Sequence, residues 1–176
     1  SGTIQNDILK EFMVRNTYMN GVSETIFSVN GKVTRGQVVT ILYRIAGMPS
    51  VEGLENPFQD VSAGKFYTNA VTWAFNEGIV MGTSETIFAP DVSITREQIA
   101  AILYRYDGEN TVKEDNLSDF SDGTNVSNFA KDAMNWAVAN GLINGIGTGE
   151  TATLSAKTTA TRSQIAVILM RYLTEG

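Results

Sequence analysis

A five-residue segment, SETIF, occurs twice in the chain, at residues 23–27 and again at 84–88. The similarity continues without a gap, because SETIFSVNGKVTRGQVVTILYRIAG and SETIFAPDVSITREQIAAILYRYDG are identical at thirteen of twenty-five positions. A third copy follows, where TRSQIAVILMRY at 161–172 repeats TREQIAAILYRY at 95–106. Such a repeat constrains the fold, since each copy must form a similar unit and bury its apolar face against the other copies.

Each complete copy contains two segments with helical periodicity. In the first segment, Ala70, Trp73 and Ala74 share one face, and Gly78 is placed to end the helix in a left-handed conformation. In the second segment, apolar residues recur at intervals of three and four in all copies: Val38, Ile41, Leu42 and Ile45; Ile99, Ile102, Leu103 and Tyr106; Ile165, Ile168, Leu169 and Tyr172. Helices this short are marginal alone. The sequence therefore predicts an all-α fold of three tandem helix-loop-helix repeats that form one cooperative unit.

Polar linkers containing Gly separate the copies, GMPSVEGLENP between the first two and DGENTVKEDNLS between the last two. They predict repeats at residues 1–48, 57–108 and 117–176. The first copy lacks the Phe-x-Asp segment with which the others begin. We therefore expect the first repeat to be truncated at its start.

Composition excludes several classes of chemistry. The chain has no cysteine and no histidine, which removes disulfides, thiolate nucleophiles, Ser-His-Asp triads and most zinc sites. A net charge of -6 opposes general binding to nucleic acid. The chain contains no run of 18 apolar residues, the length that a membrane-spanning helix requires, so we expect no membrane insertion. We expect no catalytic residue, no required metal and no cofactor.

The second helix of each copy begins with a capping box, Thr-Arg-x-Gln. In such a box the threonine accepts from the third helical amide and the glutamine reaches back to the amide of the cap. The boxes are formed by Thr34 and Gln37, by Thr95 and Gln98, and by Thr161 and Gln164.

Capping does not explain the arginine of the box, which is Arg35, Arg96 or Arg162. At the first helical position a cation faces the positive end of the helix dipole, which is unfavourable unless something offsets it. One interpretation is structural: the arginine pairs with a nearby acidic residue or lays its stem over apolar surface. The other is functional: the guanidinium and free helix amides together bind an external carboxylate or phosphate. Recurrence in three copies favours the second.

Further candidate residues each have a structural alternative. Trp73 and Trp136 are either stacking platforms for a sugar or core residues, and the core role is the more common one for tryptophan. The turn glycines, Gly21, Gly82 and Gly145, serve backbone conformation or allow a sugar to approach main-chain amides. Ser84 offers a hydroxyl donor or a local turn bond. Asp60 and Asp122 precede the first helices, where aspartate is favoured as a cap.

These motifs together resemble S-layer homology repeats. The resemblance extends from about residue 6 to residue 173 and rests on Phe-x-Asp, Ala-x-x-Trp-Ala, Gly-[Ile/Leu]-x-x-Gly and the Thr-Arg box before an apolar helix. It implies a pseudo-threefold, three-pronged helical bundle that is a monomer at the bacterial cell surface. It further implies that grooves between repeats bind a secondary cell-wall polysaccharide, often with a pyruvylated sugar, and that Arg35, Arg96 and Arg162 contact the anion.

Two departures from the family pattern affect the expected site. All three boxes end in Gln where the family usually has Glu, which removes a negative charge beside the arginine. The third copy has three extra residues between Gly145 and Thr161 and lacks an aromatic residue equivalent to Phe88. We therefore expect the groove at the third copy to be the most altered.

Two functional hypotheses follow. The first is a non-catalytic module in the extracellular cell wall or S-layer, which anchors a surface protein non-covalently by binding an anionic polysaccharide. The second is a structural or protein-interaction scaffold in which the arginines are paired internally and no glycan is bound.

Overall fold

The computed structural model describes residues 30–175, without the side chain of Glu175. Most of the first copy, including Gly21, lies outside the described residues. Within them the helices are α1 (Arg35–Ile45), α2 (Thr68–Asn76), α3 (Arg96–Tyr106), α4 (Lys131–Ala139) and α5 (Arg162–Glu175). Three 3-10 helices are also present: Gly123–Asn125, Asn128–Ala130 and Gly149–Thr151. Extended segments of this part of the chain form isolated β-bridges and no strand. The predicted all-α class is confirmed.

The second helix of each copy, α1, α3 or α5, begins at a capping box. In α3 the Thr95 amide donates to Oε1 of Gln98 over 3.0 Å, and the Gln98 amide donates to Oγ1 of Thr95 over 3.3 Å. The same reciprocal bonds are present at the starts of α1 and α5. The first helices, α2 and α4, are followed by glycines with positive φ, 72° at Gly78 and 67° at Gly141. Sequence signals thus define where the second helices begin and where the first helices end.

The segments that precede the second helices form a closed ring. The Ile94 amide donates to the Val33 carbonyl over 2.8 Å, and the Ala160 amide donates to the Ile94 carbonyl over 2.9 Å. The Arg162 amide completes the circuit with a 2.8 Å bond to the carbonyl of Gly31. Each of the three segments therefore pairs with both others. This cyclic pairing connects all three copies, although the predicted pseudo-threefold symmetry and three-pronged outline stay predictions.

The closest helix pairs join different copies. Helix α1 of the first copy packs against α2 of the second, and α3 of the second copy packs against α4 of the third. The apolar stripes of α1, α3 and α5 are buried as the periodicity predicts, except for partly exposed residues near the helix ends. The helix pairs are thus completed by neighbouring copies, so the repeats are structurally interdependent.

An aromatic chain connects the copies towards the C-terminal ends of the second helices. Ring centroids are 5.5 Å apart for Tyr43 and Trp73, and 6.2 Å apart for Trp73 and Tyr106. Tyr106 continues to Tyr172 at 6.1 Å, and Tyr172 to Trp136 at 6.4 Å. Edge-on and tilted aromatic pairs at such distances add to the stabilisation from burial. The copies are therefore joined at both ends of their second helices.

One tyrosine of this chain has a polar partner. The Tyr172 hydroxyl donates to Oδ1 of Asp107 over 3.1 Å. Burial and the neighbouring Asp107 carboxylate both raise the pKa of Tyr172, because each disfavours the phenolate. The third copy is thereby linked to the end of α3.

Within residues 30–175, no helix has both the length and the apolarity required to cross a bilayer.

We predict that the ring makes unfolding cooperative. Ile94 is fully buried in it, so Ile94→Ala should lower the free energy of unfolding by about 2–5 kcal/mol. Thermal melting followed by circular dichroism should still show one transition, at lower temperature. Ile87→Ala is the matched control, since Ile87 is 37% exposed. Two separate transitions in the Ile94 variant would contradict this prediction.

Candidate functional site

The box arginines of α1 and α3 are buried and tie neighbouring copies together. Nε of Arg35 donates to the Phe88 carbonyl over 2.9 Å, and Nη2 donates to the Met81 carbonyl over 3.2 Å. Arg96 makes the equivalent bonds, from Nε to the Leu154 carbonyl over 2.9 Å and from Nη2 to the Asn144 carbonyl over 3.0 Å. Exposure is 6% for Arg35 and 5% for Arg96. Each guanidinium therefore holds two points of the loop that follows the first helix of the next copy.

The backbone amides at the starts of α1 and α3 already donate hydrogen bonds to carbonyls of the next copy. The Arg35 amide donates to the Val92 carbonyl over 2.9 Å, and the Gly36 amide donates to the Pro90 carbonyl over 2.8 Å. The first two amides of α3 are bonded in the same way to carbonyls of Thr158 and Ala156. The expectation that free amides help bind an external anion is thus wrong at α1 and α3. Carbonyl oxygens of the next copy supply the negative partial charge that offsets a cation at a helix start.

Asp60 and Asp122 hold the same loops, and they do not cap the first helices as expected. The Asp60 carboxylate accepts from the amides of Phe88 at 2.9 Å and Ala89 at 2.7 Å. The Asp122 carboxylate accepts from the two corresponding amides, of Leu154 at 2.7 Å and Ser155 at 2.9 Å. These bonds also restrain backbone at positive φ, 59° at Ala89 and 49° at Ser155. Each loop is therefore fixed by a carboxylate at its amides and by an arginine at its carbonyls.

The environment of Arg35 combines opposing effects on its pKa. Burial lowers this pKa, the Asp60 carboxylate raises it, and the nearby cation Arg105 lowers it. Burial likewise lowers the pKa of Arg96, with Asp122 opposing the shift. Arginine has so high an intrinsic pKa that both side chains stay charged at neutral pH. Each loop is therefore hydrogen-bonded to an arginine side chain that stays positively charged.

Two open grooves lie beside these buried arginines. Groove A has a volume of about 420 Å³ and is bounded by Arg35, loop residues 80–83, one face of α3 and Phe129. Groove B has a volume of about 340 Å³ and is bounded by Arg96, loop residues 142–146 and the matching face of α5. The two grooves use corresponding positions of successive copies. An arginine of one copy and the loop and second helix of the next therefore form the shared part of both sites, and Phe129 of the third copy adds to groove A.

A second arginine in each groove was missed in the sequence analysis. Arg105 lies in groove A and Arg171 in groove B, and both are partly exposed. The signal was available, because Arg44, Arg105 and Arg171 each follow their box arginine by nine residues. Nη1 of Arg171 donates to the Leu142 carbonyl over 3.3 Å. Each groove thus contains two cations contributed by different copies.

The turn glycines Gly82 and Gly145 are required by close packing in the groove loops. A Cβ at Gly82 would collide with the carbonyl oxygens of Ser84 and Ile87 and lie 2.7 Å from Cε1 of Phe58. A Cβ at Gly145 would lie 2.5 Å from Cε1 of Phe120. These contacts give both glycines a structural role while placing their backbone in the groove walls.

The remaining candidates differ in accessibility. Trp73 and Trp136 are 5% and 4% exposed, so their indole faces are not open to a sugar and the stacking hypothesis does not fit them. Ser84 is exposed beside groove A, whereas the neighbouring Thr83 is the residue that lines it. Burial lowers the pKa of Arg162, the box arginine of α5. The loop around Gly21 lies outside the described residues.

The extra residues of the third copy leave the loop framework unchanged. Leu154 occupies the position of Phe88, and its carbonyl accepts from the arginine in the same way. The additional length forms the 3-10 helix Gly149–Thr151, which is exposed. The guanidinium of Arg35 lies 4.7 Å from the Phe88 ring centroid, a cation–π contact that a leucine cannot make. The alteration expected at this copy therefore affects side chains and the outer part of the loop, while the bonds from the arginine and to the aspartate are retained.

Among residues 30–175, no group of three or more acidic side chains is arranged to hold a metal ion.

The chain is thus a helical repeat module with grooves between adjacent copies. The sequence model of the S-layer homology domain matches residues 57–100 and 119–166, just over half of the chain. The chain belongs to the S-layer homology domain family. Family membership also confirms the predicted extracellular location at the bacterial cell surface. The matched residues correspond to the two complete copies.

Relatives of the chain are much longer proteins. An amylopullulanase of Thermoanaerobacterium thermosulfurigenes is 30% identical over 93% of this chain, which covers 9% of that enzyme. Exoglucanase XynX of Acetivibrio thermocellus is 29% identical over 93% of the chain, which covers 15% of it. The surface-layer 125 kDa protein of Lysinibacillus sphaericus is 34% identical over 80% of the chain, which covers 12% of it. What these proteins share with the chain is a non-catalytic S-layer homology region.

We predict that the two arginines of a groove differ in their importance for folding. Arg96→Ala should lower the free energy of unfolding by about 2–4 kcal/mol, because it leaves two carbonyls without their charged donor. Arg105→Ala should cost about 1 kcal/mol or less, since Arg105 is partly exposed. Urea denaturation of both variants would measure the difference. Equal stabilities would contradict the structural role given to Arg96.

Proposed function

We propose that the chain anchors its parent protein non-covalently to the cell wall by binding an anionic cell-wall polysaccharide in grooves A and B. One observation carries this proposal: two grooves of matched construction each bring together arginines from adjacent copies, Arg35 with Arg105 and Arg96 with Arg171. Guanidinium groups bind carboxylates with paired, charge-assisted hydrogen bonds. The acidic sugars of a wall polymer suit such a site.

The charge distribution supports an anionic ligand. The chain as a whole has a net charge of -6, so a local pair of cations stands out against an acidic molecule. The Asp60 carboxylate raises the pKa of Arg35 and the positive charge of Arg105 lowers it, so Asp60 already balances part of the positive charge at Arg35. An anion bound beside Arg105 would pair with the more exposed of the two cations.

The glutamines of the capping boxes suit the same ligand. Gln98 lines groove A, and its Oε1 atom already accepts from the Thr95 amide. Gln164 lines groove B and is bonded in the same way to Thr161. With the oxygen occupied, the donor end of each carboxamide remains for a ligand. A glutamate here would instead add a negative charge, so Gln in the box favours an anion.

The roles within the site follow from accessibility. Arg105 and Arg171 are the partly exposed cations that contact the acidic group. Arg35 and Arg96 hold the loops in place and add positive charge to the buried side of each groove. The bonds described for these two arginines are donated by Nε and Nη2 and not by Nη1. Gly82 and Gly145 present backbone to the sugar, with Ser84 at the margin of groove A. We also propose that Arg162 and Gly21 take part in glycan binding. The ligand contains a pyruvylated sugar, and the chain is a monomer.

The scaffold hypothesis has one observation in its favour. Arg35 and Arg96 are bonded internally, although to carbonyls and not to the carboxylates that hypothesis expected. Replacing either one therefore combines loss of stability with any loss of binding. Arg105 and Arg171 separate the hypotheses better, because they contribute less to the fold.

We predict that the double substitution Arg105→Ala and Arg171→Ala weakens binding to cell walls purified from the bacterium that encodes the chain. The dissociation constant in a sedimentation assay should rise at least about tenfold, because both grooves lose their accessible cation. Added salt should weaken wild-type binding and affect the variant less. Reducing the wall carboxyl groups to alcohols should abolish the difference between the two proteins.

The matched control is Lys113→Ala with Lys157→Ala, which changes net charge equally at exposed sites outside both grooves. Wild-type affinity is expected for this control. Equal losses in the two double variants would show that overall charge governs binding. A wild-type protein that binds a partner protein but not the wall would favour the scaffold hypothesis.

A further inference from the structure

Groove A combines its cations with exposed apolar side chains. Phe129 is 57% exposed and Met81 is 63% exposed, and both line the groove with Arg105. Large apolar groups left in water are unfavourable, and when they lie beside polar groups in a concave site they commonly mark a ligand contact. A ligand with both an apolar face and an acidic group would match this lining.

Groove B has no aromatic side chain in its lining, and its exposed apolar residue is aliphatic, Ile146 at 48% exposure. Asn144 corresponds to Met81. Arg171 nevertheless corresponds to Arg105, so the cations are retained. The two grooves therefore share a pair of arginines and differ in the other side chains that would surround a bound acidic group.

The position of Phe129 is fixed by a buried contact between copies. It lies in the 3-10 helix Asn128–Ala130, which packs against α3 and α4. Just before this helix, Ser127 donates from its amide to Oε2 of Glu97 over 3.0 Å and from its hydroxyl to Oε1 over 2.8 Å. Glu97 is 5% exposed. The backbone that carries the exposed ring is thus held in place, which reduces the entropy lost when a ligand binds.

We infer that groove A is a composite sugar subsite in which the Phe129 ring supports the apolar face of an acidic sugar while Arg105 binds its carboxylate. The aromatic role expected of the tryptophans is thereby assigned to a phenylalanine contributed by the third copy. Groove A binds the acidic sugar more tightly than groove B, because only groove A offers both contacts. This inference rests on the proposed function and adds the residue that selects the sugar.

The test uses the whole chain carrying Arg171→Ala, so that groove B is weakened, and the soluble polysaccharide released from purified walls. In this background Phe129→Ala should weaken binding about tenfold by calorimetry, and Phe129→Leu should weaken it nearly as much, because leucine lacks a flat face. Phe129→Trp should retain the affinity. The salt dependence of binding should stay unchanged in all three variants, whereas Arg105→Ala should reduce it.

Val92→Ala is the control, since Val92 is 56% exposed and lines neither groove A nor groove B. It should bind as the background protein does. Equal weakening by Val92→Ala would overturn the assignment of the aromatic contact to groove A. Normal binding by Phe129→Ala, with weakening by Arg105→Ala, would overturn this inference and leave the proposed function standing. Absence of wild-type binding would overturn both.

Discussion

The structure depends on helix starts whose hydrogen bonds are completed by a neighbouring copy. At α1 and α3 the first two amides donate to carbonyls of the next copy, and the side chain of the arginine at the first helical position donates to two further carbonyls of that copy. Buried amides and a buried guanidinium are costly when unpaired. One copy alone would leave these donors unsatisfied, and at α1 and α3 the next copy supplies their acceptors.

The same constraint generates the grooves. The arginine, the carboxylate of Asp60 or Asp122 and the turn glycine together fix each loop against the preceding copy. Because the loop stands away from the second helix of its own copy, a concave space remains between them. The binding surface thus arises from how the copies assemble, and it adopts its shape before any ligand arrives. A preorganised site of this kind loses little entropy on binding.

Repetition preserves the framework of the grooves while their linings diverge. Arg35 and Arg96 make equivalent bonds even though Phe88 is replaced by Leu154, because the accepting groups are backbone carbonyls. Residues that face the open space, such as Met81 and Asn144, are not constrained in this way. Copies of one fold can therefore present different surfaces, and this difference underlies our assignment of separate preferences to the two grooves.

The sequence by itself determined the all-α class, the starts of the second helices, the ends of the first helices and the apolar stripes, because these follow from local hydrogen bonding and from periodicity in one segment. It also identified Arg35 and Arg96 as cations at helix starts, where the helix dipole disfavours a positive charge. The tertiary structure decided what those arginines do, since their partners lie about fifty residues away in another copy. It likewise decided that Asp60 holds a loop, that Trp73 is buried, and that Arg105 reaches a groove, because accessibility depends on how the copies pack.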